Sequence, residues 1–218
     1  MTTPNSNVKI NQNNSRPDAL REKPSLPMIG LLILQMILGF EWFWSGLAKI
    51  MMPGGFPAAL PDALGEMIQN SPAWYANFLN GIVIPNSMTF GYLIEFSEFL
   101  IGVVFLFGPL IWFFSWDRLP DFVRAGLLSL TAAAAIGGFF MAVNFHIAMG
   151  NAQPWILPTS GLDESGDLDS MVAAMQLVIM TVNLVALSYL RQKKTQTIGI
   201  VTQVGLPEYA FVEVAHKD

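Results

Sequence analysis

The chain contains no cysteine among its 218 residues, although it carries 12 Met and 6 Trp. That absence excludes disulfides, thiolate-bound zinc, cysteine-ligated iron–sulfur clusters and covalently attached c-type haem within this polypeptide. Any redox chemistry must therefore use another group or another subunit. Charge is also scarce: 12% of residues are charged against 53% hydrophobic, and the mean hydropathy is +0.47. This is too apolar for an ordinary soluble domain and identifies a membrane protein with lipid as its first partner. The 11 basic residues are outnumbered by 16 acidic ones, for a net charge of -5, and they are too scattered to form a stripe for nucleic acid. No Gly-rich dinucleotide or phosphate loop is present, and the acids near 163 to 169 do not match a calcium-loop spacing. No resident cofactor and no metal are assigned.

What is abundant is long apolar runs. A spanning helix needs about 20 mainly apolar residues, and segments near 28 to 52, 88 to 116, 122 to 149 and 168 to 190 qualify. The expected fold is all-α, a bundle of four antiparallel transmembrane helices with short interfacial helices in the first outer loop. Residues 1 to 26 read as a disordered tail, 27 to 191 as the four-helix transmembrane domain, and 192 to 218 as a C-terminal tail. Lys9, Arg16, Arg21 and Lys23 precede the first span, Arg118 and Arg124 flank the turn between the second and third, and Arg191, Lys193 and Lys194 follow the fourth. The positive-inside rule then predicts that both termini are cytoplasmic, in a bacterial inner membrane. The loops near 53 to 87 and 150 to 167 would face outward. In "SPAWYANFLNGIVIP" the residues Trp74, Tyr75, Phe78, Leu79 and Ile82 recur at helical spacing, which predicts a short interfacial helix serving as a lid or as an aromatic anchor. Asp167 and Asp169 are expected to cap the fourth span. The C-terminal "TIGIVTQVGLPEYAFVEVAHKD" alternates enough to suggest short strands docking on a partner.

The polar residues of the spans gather toward the outer side. Glu41, Ser45 and Lys49 follow one another at four-residue intervals in "GFEWFWSGLAK"; Glu95 and Glu98 share a face of the second span; Asn144 and His146 end the third; and Gln176 lies about two turns into the fourth. The inner halves offer only Gln35, Thr131 and Asn183 as deep polar groups. An ionised side chain at mid-bilayer costs about 2.5 to 3.5 kcal/mol, so three acids and one lysine are expected to face one another in a common chamber. A proton-carrying carboxyl beside a histidine would make a relay. The plainer alternatives are that Lys49 snorkels to the headgroups, that Ser45 bonds its own helix backbone, and that His146 is a packing residue. Asn144 and His146, two residues apart, point about 200° away from each other, so only one of them is expected to line the chamber. Glycines at 39, 46, 102 and 108 would let helices approach closely. Trp42 and Trp44 are candidates for stacking on a flat ring, with packing as the alternative.

"LGFEWFWSGLAK", "EFLIGVVFLFG" and "AVNFHIAMG" together resemble the DoxX and DoxD group of four-helix membrane proteins, over roughly residues 28 to 190. Gly46, Lys49, Glu98, Gly102 and Asn144 fall on that group's pattern; Glu41, Glu95 and His146 are singled out from this sequence alone. The resemblance implies a redox role. The DoxD branch is associated with thiosulfate:quinone oxidoreductase, which joins two thiosulfates into tetrathionate and passes electrons to quinone. On that reading Glu41, Lys49, Glu95, Glu98 and His146 are candidate catalytic residues, and Asn144, Gln176, Trp42 and Trp44 candidate quinone contacts. The competing reading is a non-catalytic accessory subunit that anchors or seals a larger respiratory or photosynthetic complex, with other membrane subunits as partners. A proton-coupled transporter ranks last, since no internal repeats are visible.

Overall fold

The computed structural model describes residues 26–150 and 168–204. Residues 1–25, 151–167 (Asp167 among them) and 205–218 lie outside the described residues. Among the described residues the chain is helical, with no strand. In order, the elements are α1 (Leu26–Ile50), α2 (Phe56–Ile68), α3 (Ala73–Phe78), α4 (Ser87–Ser115), α5 (Asp121–Ala148) and α6 (Leu168–Val204). Four of these runs are long and apolar enough to cross a membrane, so the chain is an all-α, multi-pass membrane protein.

The four long helices form two antiparallel hairpins, α1 with α4 and α5 with α6, joined mainly through α4 and α5. Glycine sets the first hairpin. A Cβ on Gly46 would run into the backbone of Phe99, and one on Gly102 into the backbone of Phe43. Each glycine thus receives the opposing helix where a side chain would hold it off. The second hairpin closes in the same way, with Gly138 of α5 lying against the side-chain amide of Gln176. Leu38, Trp42, Ile101, Phe105, Ala135, Ala142, Val172 and Ile179 fill the space between the hairpins.

The segment from Ala73 to Arg118 stays in helical conformation throughout, 46 residues in all. At 1.5 Å per residue a straight rod of that length would measure roughly 70 Å, more than twice the hydrocarbon thickness. It is interrupted instead. A π-helical stretch over Leu79–Val83 and a 3-10 turn over Ile84–Asn86 containing Pro85 separate α3 from α4, the usual causes of a sharp change in helix direction. The span proper is therefore α4, within a residue of its expected limits.

One sequence expectation gains detail and another is corrected. The segment between the first two spans holds two short helices, and in the first of them, α2, Phe56, Leu60 and Leu64 are buried at four-residue intervals and form a second core with Tyr75, Leu79 and Val83. Pro57 sits in the first turn, where a missing N–H costs nothing. The expected strands after the fourth span are overturned over residues 197–204, because α6 continues unbroken to Val204.

Candidate functional site

Antiparallel packing brings Lys49 at the end of α1 beside Glu98 in the first half of α4. The Lys49 ammonium donates to Glu98 Oε2 at 2.5 Å and to Ser45 Oγ at 2.8 Å, and Ser45 Oγ donates to the same Glu98 oxygen at 2.9 Å. Ser45 therefore bridges two helices and does not bond its own backbone, a correction to the sequence reading. Lys49 is committed to the pair and does not simply reach for headgroups. The pair is unequally buried, with 21% of the Lys49 side chain exposed but only 1% of Glu98. A buried pair of this kind is not a strong source of stability, because both ions lose hydration; removing one partner, however, leaves an uncompensated charge. Glu98 Oε1 is buried without a hydrogen-bond partner.

On the exposed side of Lys49 opens a cavity of about 340 Å³ lined by α2, α3, α4 and α5. The volume falls at the small end of the range that ligand pockets occupy. Its wall is apolar, with Leu60, Leu64, Leu79, Phe90, Ile94, Met141 and Phe145 among the contributors, and three polar residues interrupt it: Lys49, Tyr75 and Asn144. The Lys49 ammonium lies 5.5 Å from the centre of the Phe56 ring, within cation–π range. Tyr75 donates its hydroxyl to Asn144 Oδ1 at 2.9 Å, and the Asn144 amide donates to the Phe140 carbonyl at 2.6 Å. The turn between α2 and α3 sits on the end of α5, where the Ser71 hydroxyl approaches the Ala148 carbonyl at 2.8 Å. The two short helices thus form a roof anchored at its far edge.

The remaining candidates divide. His146 is buried on the opposite side of α5 from Asn144, its Nδ1 2.9 Å from the Ser170 hydroxyl of α6, so Asn144 alone faces the cavity. Glu95 is buried but does not line it. Trp42 belongs to the bundle core, with Nε1 buried and unpartnered. Gln176 is fully buried against Gly138, and both of its amide atoms lack partners. Glu41 and Trp44 do not join the chamber at all. Glu41 is exposed, and Trp44 is 62% exposed and stacked on Phe40. The expectation that every acid converges on Lys49 therefore fails for Glu41. The reason is angular: eight residues along a 3.6-residue helix leave Glu41 rotated about 80° from Lys49.

Sequence reasoning missed the site roles of Tyr75 and Phe56. A signal for Tyr75 was present, since a phenol within an apolar helical pattern needs a hydrogen-bond partner once buried. At the other end of the bundle a second cavity of about 350 Å³ is lined by Gln35, Trp112, Trp116, Asn183 and Tyr189 among others, with no charged residue in its wall.

Comparison with protein-family models, curated proteins and solved structures returns no match.

Proposed function

We propose that the roofed cavity is a quinone site and that the chain is the membrane subunit of a quinone-linked redox assembly, of the thiosulfate:quinone oxidoreductase kind to which the DoxX/DoxD resemblance points. The observation that carries this reading is the chemistry of the cavity: an apolar wall broken by an ammonium, a phenol and an amide. A quinone is an apolar ring with two carbonyl acceptors. The Lys49 ammonium would meet one carbonyl and the Tyr75–Asn144 pair the other. Reduction to the quinol takes up two protons and two electrons, the electrons being released when two thiosulfates join through a new S–S bond as tetrathionate. The Lys49–Glu98–Ser45 group keeps exchangeable protons at the cavity wall. The ammonium also offers an anionic donor its attraction at that end of the bundle.

Sidedness is part of the proposal. The distribution of Lys and Arg supports cytoplasmic termini in a bacterial inner membrane. The roofed end then faces the periplasm, with α2 and α3 in the headgroup region. The test is turnover by purified membranes supplied with thiosulfate and a quinone analogue. Lys49→Met and Glu98→Gln are expected to abolish it in protein that remains folded; unchanged turnover in both variants would defeat the proposal.

A second reading is favoured by one specific observation. Glu98 does not line the cavity, and its ion pair joins α1 to α4, as a structural clasp would. On that reading the chain is a non-catalytic subunit that anchors or seals a respiratory or photosynthetic complex. It predicts copurification with a complete assembly whose activity the same two variants leave unchanged.

A further inference from the structure

One face of α1 remains uncovered. Ile33, Ile37, Phe40, Glu41, Trp44 and Ala48 are all exposed, at the three- and four-residue steps that make a continuous stripe along a helix. The opposite face of α1, with Gly39 and Gly46, is the one that packs on α4. An apolar stripe alone needs only lipid. Glu41 changes that, because it stands nine residues before the end of α1 at Ile50, about 13 Å along the axis. A glutamate side chain is too short to reach the headgroups from there. Phe40 and Trp44 lie parallel beside it, with ring centroids 6.5 Å apart and planes inclined by 11°.

We propose that this face of α1 is a docking seam for a transmembrane helix of a different polypeptide, one that presents a lysine or arginine at the depth of Glu41. Charge complementarity selects the occupant. A carboxylate facing hydrocarbon is stabilised by a cation or a strong donor brought to the same depth, and polar residues inside the membrane characteristically pair in this way. The described residues of a second copy offer no lysine or arginine at that depth to supply the cation. Among the described residues of the membrane-spanning helices, the only lysine or arginine at that end is Lys49, which already pairs with Glu98, and the His146 ring is buried against Ser170 of α6. Arg118, Arg124 and Arg191 lie at the other end of the bundle. A symmetric pair of copies would bring two Glu41 side chains together, which repel unless they share a proton. Ala48 near one end of the stripe allows a partner backbone to come close, while the flat Phe40–Trp44 pair gives it a surface to lie on. The seam is independent of the quinone proposal, and its test requires no turnover.

The full-length chain, labelled with a fluorophore at its C-terminus, is placed in phosphatidylcholine vesicles with labelled polyleucine helices. One helix carries a single lysine at the matching depth, one carries it a turn and a half away, and one has none. Energy transfer reports association. The matched helix is expected to associate at least ten-fold more tightly than the polyleucine control. Glu41→Gln should reduce that preference to two-fold or less with the thermal unfolding midpoint unchanged, and Trp44→Ala should weaken it part of the way. The proposal is overturned if the matched helix shows no preference, if Glu41→Gln retains the preference, or if the chain instead associates with itself through a contact that Glu41→Gln removes.

Discussion

The two ends of the bundle hold cavities of nearly equal size, about 340 and 350 Å³, both largely apolar and each with a tyrosine and an asparagine in its wall, yet only one carries a charge. One is roofed by α2 and α3, carries an ammonium at its edge and has a buried carboxylate directly behind it. The other is lined by aliphatic side chains with two neutral amides and three aromatic rings. Volume is what imperfectly filled helix ends produce in any bundle. The charge and the roof are what require explanation, because a lysine, a serine and a glutamate from two helices meet only if the helices hold one register. The glycine seam between α1 and α4 supplies that register, so the charge pair at the roofed end depends on the whole hairpin.

This contrast can be broken at its root by Gly46→Leu, which drives a side chain into the backbone of Phe99. The expected loss is about 3 kcal/mol or more, beyond ordinary overpacking because backbone cannot move aside as a side chain can. It is read from denaturant unfolding in bicelles and accompanied by loss of any ligand at the roofed end. Lys49→Met should cost about 2 to 3 kcal/mol, somewhat below the usual figure for breaking a buried pair because solvent reaches the amine. Combining it with Glu98→Leu should restore most of that stability while leaving the cavity chemically inert. Tyr75→Phe removes one hydrogen bond from the roof and should lower stability by about 1 kcal/mol, with faster hydrogen exchange confined to residues 56–83. The smallest effect belongs to the other end. Gln35 is buried in the wall of the uncharged cavity, and Gln35→Leu should change stability by less than about 0.5 kcal/mol. A larger loss there would mean the two ends are not as different as their linings suggest.

How far these features were legible beforehand depends on the kind of information each one needs. The four spans were readable because hydropathy is a property of the run, and their limits came within one or two residues at most ends. The α6 helix is the exception: the alternation after Arg191 suggested strands, yet helix propagates through it to Val204. Helices between the first two spans were expected, but the residues of α2 were not singled out, because Pro57, Pro61 and Gly65 interrupt the pattern that Phe56, Leu60 and Leu64 set. At the site, Lys49 and Glu98 were recognisable because a lone amine and a buried acid on neighbouring antiparallel spans have few other choices. Glu41 was misassigned because a repeat of four residues drifts around a 3.6-residue helix, and no single-sequence pattern states how wide the buried face will be. The orientation of His146 toward Ser170 could not have been read either, since it depends on which helix α5 packs against.

The most direct test of a quinone site at the roofed end is photolabelling with an azidoquinone in native-like bilayers, followed by mapping of the modified peptides. The account predicts label within residues 49–90 and 141–148, reduced at least ten-fold by Lys49→Met and competed away by unmodified quinone. Label confined to the opposite cavity, around Trp112 and Tyr189, or label that Lys49→Met leaves unchanged, would contradict it.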